Sequence, residues 1–106
     1  MLTSEQCIEV AEKVWGWVKH PQGWYYPGPE IKIDQLNYAR DEKAYIESQV
    51  NSWQGFGRTV EAMAEEGFKF GYSNGVAYFF NEQIQVEIEG DMILATHLAA
   101  LEAMKK

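Results

Sequence analysis

The chain has 106 residues, 46% hydrophobic and 24% charged, which places it among single-domain globular proteins and excludes a disordered chain. Nine Lys and Arg against sixteen Asp and Glu leave a net charge of −7, a surface that repels phosphate backbones and excludes generic nucleic-acid binding. Cys7 is the single cysteine, so an intramolecular disulfide and a four-cysteine zinc site are both excluded, and no apolar run is long enough to span a bilayer.

The opening residues, MLTSEQCIEV, carry an acid where a signal peptide carries bases, so an intracellular protein is expected. Thr3 and Gln6 have capping-box spacing, and Cys7, Ala11, Val14, Trp15 and Val18 form one stripe. A helix over about 4–19 follows, stopped by Pro21 and Gly23. Residues 20–29, HPQGWYYPGP, hold all three prolines and three adjacent aromatics. Residues 30–33, EIKI, alternate as a short strand does. Residues 34–51 are polar, and Leu36, Tyr45, Ile46 and Val50 fit a helical turn or a loop.

Ser52 has the character of an N-cap for a second helix carrying Trp53, Phe56, Val60, Met63 and Ala64 on one face, with Gly67 as its stop. The period then changes to two. Residues 68–72, 76–80 and 84–89 read as three strands, joined by the hairpin signal Ser73-Asn74-Gly75 and the turn Asn81-Glu82-Gln83. Asp91 caps a last helix with Leu94, Leu98 and Leu101 inward and Lys105 and Lys106 at its C-terminus. Alternation assigns Phe68, Phe70, Tyr72, Tyr78, Phe80, Ile84, Val86 and Ile88 to a buried sheet face, and Lys69, Gln85, Glu87 and Glu89 to a polar one. Phe79 then falls on the polar side, and something must cover it. A homo-oligomer is expected on that ground. The fold class is α+β, a small α/β/α-type sandwich on a three- or four-stranded antiparallel sheet, in the order α-(arm)-α-β-β-β-α.

Three segments, AEKVWGW (11–17), SWQGFGRTVEAMAEEGFKF (52–70) and ILATHLAALEA (93–103), resemble the phage α-β-α sandwich domain family of small phage and prophage proteins. The resemblance rests on packing residues and implies a fold and an origin: an accessory protein made in the cytoplasm of an infected bacterium. The order helix, three strands, helix is also that of double-stranded-RNA-binding domains, which hold phosphates with lysines at the start of the last helix. Here that position reads EGDMILATH, two acids and no lysine, which rejects an RNA role.

No catalytic signature is present, and no cofactor or metal is called for. His97 is a candidate general base with nothing nucleophilic beside it, and reads more simply as a helix histidine at a packing edge. His20 suits a helix C-terminus, and a two-histidine metal site would need both ends of the chain to converge. Glu82, Glu87, Glu89 and Asp91 read as a solvated strand face, and Cys7 as core. Two stretches are better placed to bind. At Ser52–Arg58 a capped helix start, two glycines and Arg58 offer donors to an anion, although no P-loop pattern is present. In the arm, Trp24, Tyr25 and Tyr26 cannot all face inward if it is extended. They form either a lid over the sheet or, beside Lys32 or Arg40, a stacking platform for a nucleotide. The expected function is a non-catalytic phage accessory protein that sequesters a host immune nucleotide signal through Trp24, Tyr25, Tyr26, Lys32, Arg40 and Arg58. The alternative is an acidic DNA mimic that occludes a basic host defence protein through Glu87, Glu89 and their neighbours.

Overall fold

In the computed structural model, residues 2–19, 25–26 and 42–105 are described, with 18, 19, 25, 26 and 42–45 described through their backbone alone. Chain order is α1 (Ser4–Glu9), continued by a π-helical stretch Val10–Val14, then β1 (Val18–Lys19) and β2 (Tyr25–Tyr26). These are followed by α2 (Glu42–Val50), α3 (Trp53–Glu65), β3 (Lys69–Ser73), β4 (Val76–Phe80), β5 (Gln85–Glu89) and α4 (Met92–Lys105). The fold is the α+β class read from the sequence, with β3, β4 and β5 in one antiparallel meander. The expected strand at 30–33 lies outside the described residues.

The capping box forms. Thr3 Oγ1 accepts from the Gln6 N–H at 3.2 Å, and Gln6 Oε1 accepts from the Thr3 N–H at 3.0 Å. The first helix, however, does not reach residue 19. Gly16 takes a left-handed φ of 76° that breaks the helix, and Val18–Lys19 leave it to pair with Tyr26 and Tyr25. In the polar stretch 34–51, residues from 42 onward form α2, anchored by buried Ile46 and Val50.

Ser52 caps α3 by accepting from the Gly55 N–H at 3.0 Å, and Gly67, at φ 88°, ends the segment. The buried stripe of α3 is Gly55, Thr59 and Met63; of the expected stripe Met63 is buried, Phe56 and Val60 are half-buried, and Trp53 and Ala64 are exposed. Gly55 is required there. A Cβ on it would meet the Gln49 carbonyl oxygen, and the Val50 carbonyl oxygen and Cα at 2.8 and 3.0 Å, because the end of α2 crosses α3 at this point.

The sheet corrects the face assignment. Asn74 and Gly75 both have positive φ, 54° and 77°, forming a two-residue turn that pairs Ser73 with Val76 and Phe70 with Phe79. Pairing across a two-residue turn joins even-numbered to odd-numbered positions. Phe70, Tyr72, Ala77, Phe79, Val86 and Ile88 therefore share the inner face, while Tyr78 and Phe80 turn outward with Lys69, Glu87 and Glu89. Phe79 is fully buried, so it gives no ground for an oligomer. The Tyr78 ring lies over Gly71 on the outer face, in the space a Cβ would fill.

On the inner face, α4 covers β4 and β5, and α3 reaches β3 through Phe56, whose ring stands 5.7 Å from that of Phe70. Asp91 caps α4 by accepting from the Leu94 N–H at 3.0 Å. The buried side of α4 is Ala95, Thr96, His97, Ala99, Ala100, Leu101 and Ala103. Leu94 and Leu98 are only half-buried, because alanines let the helix approach the sheet closely and leave the larger side chains at the rim.

Candidate functional site

The site begins at the π-helical stretch. Trp15 N–H donates to the Val10 carbonyl at 3.0 Å, five residues back, and Trp17 N–H reaches the Ala11 carbonyl at 2.8 Å across Gly16. The wider turn places both indoles on one side, with ring centroids 5.1 Å apart at 57°. Such π-helical turns are rare and recur at functional positions.

Beneath Trp15 runs a chain of hydrogen bonds whose polarity is fixed from both ends. The indole N–H of Trp15 can only donate, and it donates to Thr59 Oγ1 at 2.8 Å. The Val50 carbonyl can only accept, so the proton of neutral His97 sits on Nε2, 2.7 Å away. His97 Nδ1 is then an acceptor, and the Thr59 hydroxyl donates to it at 2.8 Å. Burial of His97, which disfavours the imidazolium, lowers its pKa from 6.5 to about 4 despite the Val50 carbonyl. Val50 O is one of the carbonyls that the C-terminus of α2 leaves without a helical partner, and His97 satisfies it. His97 is thus fully buried rather than at a packing edge, and both ring nitrogens are committed.

Above this chain, the Arg58 guanidinium carbon lies 5.7 Å from the Trp15 ring centroid and 5.5 Å from that of Trp17, within cation–π range of both. Trp17 is buried and Trp15 half-buried, while Arg58 is exposed. Among the described residues the ion pairs are Lys13–Glu9 and Lys105–Glu102, and no carboxylate pairs with Arg58. Aromatic faces hold its charge in place without cancelling it.

Of the residues the sequence singled out, Arg58 is in this cluster. Tyr25 and Tyr26 form β2, paired with Lys19 and Val18, so their backbone begins one residue from Trp17. Trp24, Lys32 and Arg40 lie outside the described residues, as does His20. Trp15, Trp17 and Thr59 are the members that sequence reasoning missed, and His97, singled out there as a candidate base, is instead a buried link in the chain of hydrogen bonds. The available signals were the Trp-Gly-Trp triplet at a helix end and a threonine in the middle of a helix's apolar side.

A shallow depression of about 540 Å³ lies elsewhere, lined by Gly67, Lys69, Phe80, Asn81, Glu82 and Gln83. Asn81 Oδ1 is used there by the turn itself, accepting from Gln83 and Ile84 N–H at 2.8 Å each. Lys69, Glu82 and Gln83 are exposed and unorganised, so the Trp15–Trp17–Arg58 cluster is the better candidate. Comparison with family models, curated proteins and solved structures gives no match for this chain.

Proposed function

We propose that the protein acts by binding, without catalysis, and captures a small nucleotide-like anion at Arg58 and the adjoining Tyr25–Tyr26 ribbon. The observation that carries this is an exposed arginine seated on two tryptophans, without a carboxylate partner among the described residues, in a chain of net charge −7. A guanidinium that no described carboxylate neutralises, backed by aromatic rings, supplies charge for a phosphate and a flat surface for a base. With both nitrogens of His97 engaged in the core, hydrolysis by that residue has no support. The biological role we attach to this activity, sequestration of a host immune nucleotide by a phage protein in the host cytoplasm, rests on the family resemblance of the three packing segments. Titration with linear and cyclic nucleotides, followed by tryptophan fluorescence and calorimetry, is the test. Arg58→Ala is expected to weaken binding about 5- to 150-fold without lowering the melting temperature, the range of one stacking contact. Equal binding by wild type and Arg58→Ala would remove this site from consideration.

The second reading, occlusion of a basic host protein, is favoured by the exposed Gln85, Glu87 and Glu89 along one edge of the sheet. It predicts co-purification with a basic protein that salt dissociates, and indifference to Arg58→Ala.

A further inference from the structure

Trp53 is 64% exposed, the most exposed large hydrophobic side chain among the described residues. It stands in the first turn of α3, its ring edge-on to Phe56 at 5.7 Å, and its outer side meets solvent. One turn further along the same side is Gly57, exposed, where an added Cβ would meet nothing within 4 Å. Glycine inside a helix costs about 1 kcal/mol relative to alanine, and nothing among the described residues requires it at this position. Gly55, two residues earlier, is explained by the crossing of α2. Gly57 has no such explanation among the described residues, and it leaves room for a close packing partner.

Continuing along this side, Val60 is half-buried and Ala64 is exposed. Trp53, Gly57, Val60 and Ala64 follow one another at spacings of four, three and four, the seam of a helix that packs lengthwise on another. The order of sizes is large, minimal, medium, small. Set against an antiparallel copy of itself, this series places Trp53 on Ala64 of the second helix and Gly57 on Val60. Each larger side chain meets a smaller one, and the same contacts repeat on the other side of a two-fold axis. Along one flank, Glu61 then faces Gln54 of the second copy, so no acid is forced against an acid. A parallel arrangement would stack Trp53 on Trp53 and leave Gly57 facing an empty space.

We infer that the outer side of α3 is an interface between two copies of this chain, packed as an antiparallel helix pair with Trp53 as its anchor. The contact is self-complementary in shape, and it closes at two copies. Arg58 reaches away from this seam toward Trp15 and Trp17, so the proposed ligand site stays open in the dimer and the two proposals stand or fall separately. A pair of helices about 20 Å long covers less than the roughly 800 Å² per partner of a standard interface, so association is expected in the micromolar range.

Sedimentation analysis of the full chain from low to high micromolar concentration tests this. Wild type is expected to pass from monomer to dimer over that range. Trp53→Ala, which removes the anchor, and Gly57→Leu, which fills the gap, are each expected to weaken association at least about tenfold. Because a Cβ at 57 meets no atom within 4 Å and leucine is the better helix former, the melting temperature of dilute Gly57→Leu protein should equal or exceed that of wild type, which separates lost docking from lost folding. Ala64→Arg supplies a third variant by the same logic. A wild type that stays monomeric at high micromolar concentration overturns the inference. So does a dimer that persists in all three variants, or an assembly larger than two.

Discussion

At the scale of single residues, His97 concentrates more consequences than any other side chain. Replacing it with alanine empties a fully buried site and strands the Val50 carbonyl and the Thr59 hydroxyl together, each loss worth about 1–3 kcal/mol. Leu98→Ala removes a side chain that is only half-buried. Urea midpoints should therefore fall further for His97→Ala than for Leu98→Ala, the reverse of what a leucine stripe on α4 suggests. The same residue sets an acid limit. Its pKa is near 6.5 when unfolded and about 4 when folded, so between those values the unfolded chain binds a proton that the folded chain does not. Stability falls as pH drops from about 6.5 to 4, by about 3 kcal/mol in all, and this group adds nothing further below 4. His97→Gln, whose amide can donate to the same carbonyl, should be less stable at neutral pH yet lose less on acidification. Chemical denaturation of both proteins at several pH values checks the difference. Cys7, fully buried with its thiol pKa pushed up mainly by that burial, should react with thiol reagents only as fast as the protein opens.

At the scale of elements, two glycines in one helix should respond oppositely. Gly55→Ala forces a methyl into the backbone of Gln49 and Val50 and should cost about 2 kcal/mol or more. Gly57→Ala meets no atom and should stabilise dilute protein by up to about 1 kcal/mol. Thermal melts of the two variants suffice. The sequence carried the caps, the turn and the order of elements clearly, because Thr3, Ser52, Asp91 and Asn74-Gly75 act through their nearest neighbours. The inner side of the sheet was legible too, but only by counting pairs across the two-residue turn, which carries Phe70 to Phe79 and turns Tyr78 outward. Hydrophobicity alone misplaces Tyr78, Phe79 and Phe80. The buried side of α4 was harder to read. Its alanines and His97 pack inward while Leu94 and Leu98 stay at the rim, a choice made by the closeness of the sheet and invisible in a helical repeat.

At the scale of the whole molecule, Trp15, Thr59, His97 and Val50 join the π-helical stretch, α3, α4 and α2 in one chain of bonds. None of these helices can leave without breaking it. The indole proton of Trp15 should consequently exchange with solvent only through global unfolding, whereas the amides of the two-residue β1–β2 ribbon should exchange far faster. Hydrogen exchange by NMR reads both. This chain was the part of the site least legible in the sequence. Its members come from positions 15, 50, 59 and 97, and no spacing rule connects residues brought together only by folding. Arg58 was recognisable because an isolated cation stands out in an acidic chain, but its tryptophan partners were not.

The five-residue stretch Val10–Val14 also defines how this chain tolerates changes in length. Closing its hydrogen bonds five residues back, where an α-helix closes them four back, stores one residue more than a regular helix needs. Deleting exposed Lys13 should therefore be absorbed as an ordinary helical turn, leaving the capped start of α1 intact. With one residue fewer between them, Trp15 and Val10 would close as a regular four-back pair, so everything beyond the deletion would keep its direction. Trp15 would stay on Thr59, and Trp17 would stay beneath Arg58. One removed codon would thus regularise the helix while sparing the surface it presents.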